Sequence, residues 1–197
     1  MNASPHRAGH QTGATPHRAE PAAAAPRRIL VVGCSGSGKS TLARALGARY
    51  ELPVIHLDNH FWTPGWVALA REPWRALCRE LAAGDAWVMD GNYGSSLDIR
   101  LPRADLIVFP DLSPALCGYR ALRRRWRFRR TGRPDVAPGC PERIEWQFLR
   151  YIWSYRRRHR GRLLAAIARY APETPLVRLR TRRQVREFVD GGDRAGR

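Results

Sequence analysis

Residues 33–40 read Gly33-Cys34-Ser35-Gly36-Ser37-Gly38-Lys39-Ser40 and match G-x-x-x-x-G-K-[ST] at every fixed position. The chemistry this spacing serves is phosphate binding. Backbone N–H groups around Gly36 and Gly38 are expected to wrap a β-phosphate, aided by the dipole of the helix that follows. Lys39 is placed to bridge the β- and γ-phosphates, and the Ser40 hydroxyl to ligate Mg²⁺. Gly33, Ser35, Ser37 and Thr41 complete the expected nucleotide-binding set. Lys39 is also the only lysine among 35 basic residues, the other 34 being arginine. A randomly placed lysine would fall there about one time in 35, and arginine's planar fork does not replace a compact ammonium under a phosphate chain.

Two carboxylates are the next candidates. Asp58 and Asp90 each end an apolar run, Val54-Ile55-His56-Leu57-Asp58 and Trp87-Val88-Met89-Asp90. The carboxyl ends of strands line the ligand crevice of an open α/β sheet. A carboxylate there can hold Mg²⁺ or accept the proton of an attacking hydroxyl. Both residues are assigned to catalysis, Asp58 also to acceptor binding and Asp90 also to the metal. Which of them serves metal and which base is open at this stage. Trp62, Trp66 and Trp74 crowd the segment after Asp58, where they could form an acceptor pocket, stack on a base, or build the small core of a covering helix. Arg71, Arg100 and Arg103 lie near the same crevice and are candidates to hold an anionic acceptor.

Arginine is concentrated between Leu116 and Arg162, with 15 arginines against three acids. Two or three of them, brought in by a closing lid, would suffice to stabilise a transferring phosphoryl group. Arg124 is assigned to that role and Arg120 to the nucleotide. The remainder reads as solvated surface or as a face for a polyanion such as nucleic acid.

Positioning these groups requires alternating strands and helices. Ile29-Leu30-Val31-Val32 is a continuous apolar run ending in the glycine loop, as in a strand buried on both faces. Ser40–Tyr50 carries Leu42, Ala45 and Leu46 at helical spacing. Further strands are expected over 53–58, 86–90, 105–110 and 176–179. Each is separated from the next by helical or loop sequence, which predicts an α/β fold with a five-stranded parallel sheet flanked by helices. Ser113-Pro114 opens a helix with Ala115, Tyr119, Leu122 and Trp126 as its apolar stripe. Pro141-Glu142 opens another with Ile144, Phe148, Ile152 and Tyr155 on one face. Thr181 caps a final helix carrying Val185, Phe188 and Val189. The stretch of about 116–162, with turn-rich sequence at its centre, is read as an arginine-rich helical lid. Residues 1–26 read as a disordered tail, 27–190 as one domain, and 191–197 as a C-terminal tail.

Composition bounds the rest. The net charge is +18 and 44% of residues are apolar. No run approaches 18 apolar residues, which excludes a transmembrane helix. The N-terminus has arginines but no apolar core of a secretory signal. Four scattered cysteines without a C-x-x-C pair argue against a zinc site or disulfide framework, and point to reducing cytoplasm.

Leu57-Asp58 with Trp62-Thr63-Pro64-Gly65-Trp66, then Met89-Asp90-Gly91-Asn92-Tyr93, Arg133-Pro134-Asp135 and Pro138-Gly139-Cys140-Pro141-Glu142, resemble the bacterial P-loop proteins known as DNA topology modulation proteins of the FlaR type. That family is similar to adenylate kinase and related small-molecule kinases. The resemblance implies an adenylate kinase-like P-loop fold, a mobile lid, and ATP and Mg²⁺ as cofactors. Asp90-Gly91 stands where such kinases often carry Asp-Gly before the acceptor-binding segment, which makes Asn92 and Tyr93 acceptor residues. Asn92-Tyr93 replaces the Phe-Pro-Arg of adenylate kinases, and the insertion between Asp58 and Trp87 is short. Two functions are therefore expected from different classes. One is an ATP- and Mg²⁺-dependent kinase of a small or nucleotide-like acceptor. The other is a nucleotide-regulated nucleic-acid-binding protein acting on DNA topology through the arginine-rich stretch.

Overall fold

The computed structural model describes residues 25–127, 139–140 and 146–191. The expected N-terminal tail up to residue 24, the turns at Thr131–Pro134, Pro138 and Pro141–Glu142, and residues 192–197 lie outside them. Five strands form the central sheet: β1 (Arg28–Val31), β2 (Val54–His56), β5 (Trp87–Asp90), β6 (Leu106–Pro110) and β7 (Leu176–Leu179). They are all parallel, in the order β2-β5-β1-β6-β7. Ile29–Val31, Val88, Met89 and Ile107–Phe109 are fully buried, as strands covered by helices on both faces must be. The expected five-stranded parallel sheet is what the chain forms, with β2 three residues shorter than read, one at its start and two at its end, where Asp58 opens a helical turn, α2 (Asp58–Phe61).

One face of the sheet is covered by α1 (Lys39–Tyr50) and α8 (Arg182–Val189). There Leu42, Ala43 and Leu46 meet Ile29, Val31, Val88, Val108 and Leu179. The other face takes α3 (Arg71–Ala83), α4 (Leu97–Arg100), α5 (Pro114–Arg127), α6 (Trp146–Arg158) and α7 (Arg160–Tyr170). In α3, Trp74, Cys78 and Ala82 recur every fourth position and are buried, the spacing of one helical face. A two-residue antiparallel ribbon, β3 (Trp62–Thr63) with β4 (Val67–Ala68), projects between α2 and α3.

α8 is set by its cap. The Thr181 hydroxyl accepts from Gln184 N at 3.1 Å, and Gln184 Oε1 accepts from Thr181 N at 3.2 Å, a reciprocal capping box. Thr181→Ala is expected to destabilise the domain by about 1 kcal/mol, measured by urea denaturation. An unchanged midpoint would show that the cap is irrelevant to the packing of α8.

Helix α5 differs from the sequence reading. The stripe Tyr119, Leu122 and Trp126 is 58%, 51% and 77% exposed, whereas Cys117 and Ala121 are buried. The reason is close approach. A Cβ on Gly36 would stand 2.2 Å from the Cys117 carbonyl oxygen, so the face of α5 against the glycine loop must carry small residues. Ile152 and Tyr155 of α6 do sit on the expected inner face and join the main core with Cys117 and Ala121. Both helices thus pack into the domain body through one face each.

Candidate active site

β1 runs directly into the glycine loop. Gly33, Gly36 and Gly38 have φ of 148°, 80° and 93°, the region where a side chain is strained. Gly38 precedes α1 with no side-chain cap, and no acidic residue occupies the first helical turn. The first N–H groups of α1 therefore face the cleft, a ready anion site. Lys39 folds back to donate to Cys34 O at 3.1 Å. Ser37 Oγ is buried with no partner among the described residues. Cys34 is buried against Cys117, and the hydrogen bond between the two thiols, with burial, pushes the Cys34 thiol far up.

Asp90 ends β5 beside Val31, next to the glycine loop, and is 6% exposed. Its Oδ2 meets His56 Nδ1 at 2.8 Å. Asp58 stands just past β2, and Tyr93 donates its hydroxyl to Asp58 Oδ1 at 2.5 Å. Burial, reinforced by the Asp58 charge, holds the Tyr93 phenol far above its ordinary value, so it stays a donor. Gly91, between the two carboxylates, has φ 145° and no room for a side chain, since a Cβ would lie 2.9 Å from that of Leu57.

These groups line one cleft of about 1300 Å³. It brings together Ser35 through Thr41 with Asp58, Trp62, Trp66, Asp90, Asn92 and Tyr93, and α5 adds Arg120, Arg123, Arg124 and Arg127. Arg120 donates to Ser37 O at 3.2 Å and approaches Gly38, so the arginine face of α5 turns over the phosphate loop. Gly33, the first residue of the motif, is held from behind: its N–H donates to Asn92 Oδ1 at 2.7 Å, and Asn92 Nδ2 donates to Gly33 O at 2.6 Å. Asn92 lines the cleft, yet its amide is engaged in tethering the loop.

Three arginines expected near an acceptor stand elsewhere. Arg100 is 0% exposed and donates to Gly91 O, Asn92 O, Tyr93 O and Ser96 Oγ. It lies beneath the loop after β5 because four acceptors converge there. Arg103 donates to Ala82 O and Ala83 O. Arg71 is exposed at the start of α3 and is absent from the cleft wall. The tryptophans divide: Trp74 is core at 1% exposure, while Trp62 and Trp66 face the cleft.

Sequence reasoning missed His56, Phe148 and Tyr151. His56 was legible two residues before Asp58, but its partner across the sheet was not. Phe148 and Tyr151 enter from α6, and Tyr151 stands 3.3 Å from Asn92 Nδ2 with its phenol pushed up to about 12 by burial. α8 also contributes Val185, Arg186 and Val189, which no local signal announced. The arginines of α6 and α7 are partly spent on structure: Arg156 and Arg160 approach the buried Asp111, which Arg178 also bonds.

A five-stranded parallel sheet with the phosphate loop after its central strand defines the P-loop NTPase class, in the form seen in small-molecule kinases. Shikimate kinase from Acinetobacter baumannii, in complex with shikimate, superposes with a TM-score of 0.53 at 16% identity, covering 84% of this chain and 89% of that one. A gluconokinase from Sinorhizobium meliloti 1021 gives 0.47 at 22% identity, covering 86% and 93%. Over 133 residues the chain is 31% identical to the uncharacterized protein YqaC of Bacillus subtilis (strain 168), spanning 66% of this chain and 72% of that one. It belongs to the YqaC family. No family model matches the chain, so the likeness to DNA topology modulation proteins rests on the sequence motifs alone. No helix among the described residues is long and apolar enough to cross a membrane.

Proposed function

We propose that the protein transfers the γ-phosphoryl group of ATP to a hydroxyl of a small-molecule acceptor. The observation that carries this reading is the cleft itself, in which the phosphate loop faces two carboxylates at the ends of neighbouring strands. The N–H groups of residues 36–40 and the Lys39 ammonium bind the phosphates. Arg120 and Arg124 of α5 neutralise charge on the transferring group. Mg²⁺ fits the donors present: the Ser40 hydroxyl and the Asp90 carboxylate are hard oxygen ligands beside the phosphates. Among the described residues no cluster of three or more His, Cys, Asp or Glu competes for a metal. When bound there, the ion supplies charge neutralisation to the phosphate oxygens.

Asp58, on the side of the tryptophans, is the base. It takes the acceptor's hydroxyl proton while that oxygen bonds to the γ-phosphorus and the bond to the bridging oxygen of ADP breaks. The Tyr93 hydroxyl fixes the orientation of Asp58, and His56 does the same for Asp90. Four free thiols fit work in a reducing cytoplasm. Nothing in the cleft supports the nucleic-acid reading, and Arg120 of α5 is bonded to the phosphate loop. The test is a screen for transfer of labelled γ-phosphate from ATP to small alcohols, with Lys39→Ala as blank. No transfer above the blank to any acceptor would sink the reading.

A further inference from the structure

β1 and β5 pair in parallel as far as Val31 and Asp90, and the last backbone bond between them runs from Gly91 N to Val31 O at 3.2 Å. Along a strand with two parallel neighbours, successive residues bond to opposite sides. Val32 N accordingly turns away and donates to Val108 O of β6 at 3.0 Å. Gly33 is the next residue whose N–H and C=O face the β5 side. Continued in register it would stand beside Asn92, but β5 ends at Asp90, and Gly91 takes a left-handed φ of 145°. The Asn92 side chain fills the place of the missing strand. It accepts from Gly33 N at 2.7 Å and donates to Gly33 O at 2.6 Å, so one amide supplies the donor and the acceptor that backbone would have supplied.

This pairing occupies the amide. Its orientation is fixed by Gly33 alone, since the N–H must face Oδ1 and the carbonyl must face Nδ2. The second Nδ2 hydrogen is directed to the Tyr151 hydroxyl at 3.3 Å, so both amide hydrogens are engaged within the protein. The backbone that carries Asn92 is also fixed. Arg100, fully buried, donates to the carbonyls of Gly91, Asn92 and Tyr93. On its other side Gly33 is bounded by the end of β6, where a Cβ would stand 3.0 Å from Pro110 O. The first residue of the phosphate loop is therefore buried and gripped between β6 and Asn92. The loop from Cys34 to Lys39 starts from a point that Asn92 sets.

Resting on the reading of the loop as a nucleotide site, we propose that Asn92 is a positioning residue for the phosphate loop rather than a contact of the acceptor. It acts through Gly33. By holding both polar groups of that residue, it keeps the N–H groups of residues 36–40 converging on one point before a nucleotide arrives. Without the amide, Gly33 carries two unpaired buried groups and the wide conformational freedom of a glycine. Part of the phosphate binding energy is then offset by the cost of ordering the loop. This departs from the acceptor role that the place of Asn92 after Asp90-Gly91 implies.

The test measures the affinity of the full chain for ATP with Mg²⁺ by calorimetry, with no acceptor present, and follows the Gly33 amide proton by hydrogen exchange. Asn92→Leu keeps the shape of the side chain and removes both bonds, so ATP binding should weaken about tenfold. The Gly33 N–H should lose protection while the N–H groups of β1 keep theirs. Asn92→Ala leaves room for water to bond Gly33, and its loss should be smaller, about threefold. A side chain that merely filled space would give the reverse order, because alanine leaves the larger cavity. Parental ATP affinity in either variant, a greater loss in Asn92→Ala than in Asn92→Leu, or parental exchange of the Gly33 N–H in Asn92→Leu overturns the proposal with the nucleotide site intact. Parent protein that binds ATP no better than Lys39→Ala overturns the nucleotide reading itself, and the proposal with it.

Discussion

Lys39→Ala is expected to lower kcat for phosphoryl transfer by about 10²–10³-fold, the loss typical of removing one group that stabilises charge in the transition state. The ammonium leaves the start of α1 and lies folded onto the glycine loop, 3.1 Å from Cys34 O. A nucleotide must draw it off that carbonyl, exchanging a neutral acceptor for phosphate oxygens. The domain should lose little stability, because Lys39 is half-buried at a cleft rim and its side chain supports no core contact. Steady-state kinetics paired with a denaturation curve separate the two effects. Lys39→Arg should be impaired as well, since a planar fork carries its charge in a different shape and the loop is closed behind by Cys117 and Arg120. Activity of the arginine variant equal to the parent would mean that charge alone is required there.

Arg100→Met is expected to cost about 3–5 kcal/mol of stability, at the upper end for one substitution. The guanidinium is fully buried and satisfies Gly91 O at 2.9 Å, Asn92 O at 2.6 Å, Tyr93 O at 3.1 Å and Ser96 Oγ at 3.2 Å. Methionine matches the bulk but donates nothing, leaving Gly91 O and Asn92 O unpaired in the interior, while Tyr93 O keeps its bonds from Ser96. Burial draws the guanidinium down to about 10, so it is charged at neutral pH and its charge rests on these carbonyl dipoles. The consequence reaches function. The same carbonyls belong to the loop that carries Asn92, which tethers Gly33, and Tyr93, which holds Asp58. Nucleotide affinity and stability should therefore fall together, read by calorimetry and urea denaturation. A variant as stable as the parent would show that water or a rearranged loop satisfies the carbonyls.

Both predictions bear on what was legible beforehand. The strands were, because a parallel sheet buries both faces and leaves continuous apolar runs such as Ile29–Val32 and Leu106–Phe109. The cap of α8 was, because a capping box is contained within Thr181–Gln184. The stripe on α5 misled, since helical periodicity marks an apolar face without saying what that face will meet. Here the close fit of Gly36 to Cys117 selects the small-residue face for burial and leaves Tyr119 and Trp126 outside. Arg100 misled in the opposite direction. A charged residue after a catalytic strand reads as a ligand contact, and only the converging carbonyls show it to be a brace.

The sequence by itself determined the phosphate loop, the parallel sheet and the two strand-end carboxylates, because each depends on residues adjacent in the chain or on a buried strand's periodicity. Only the tertiary structure decided what surrounds them. The pairing of His56 with Asp90, the tether from Asn92 to Gly33 and the entry of Tyr151 join positions from 34 to 59 residues apart. Contacts across such separations depend on how helices pack over the sheet, and local composition carries no record of that packing.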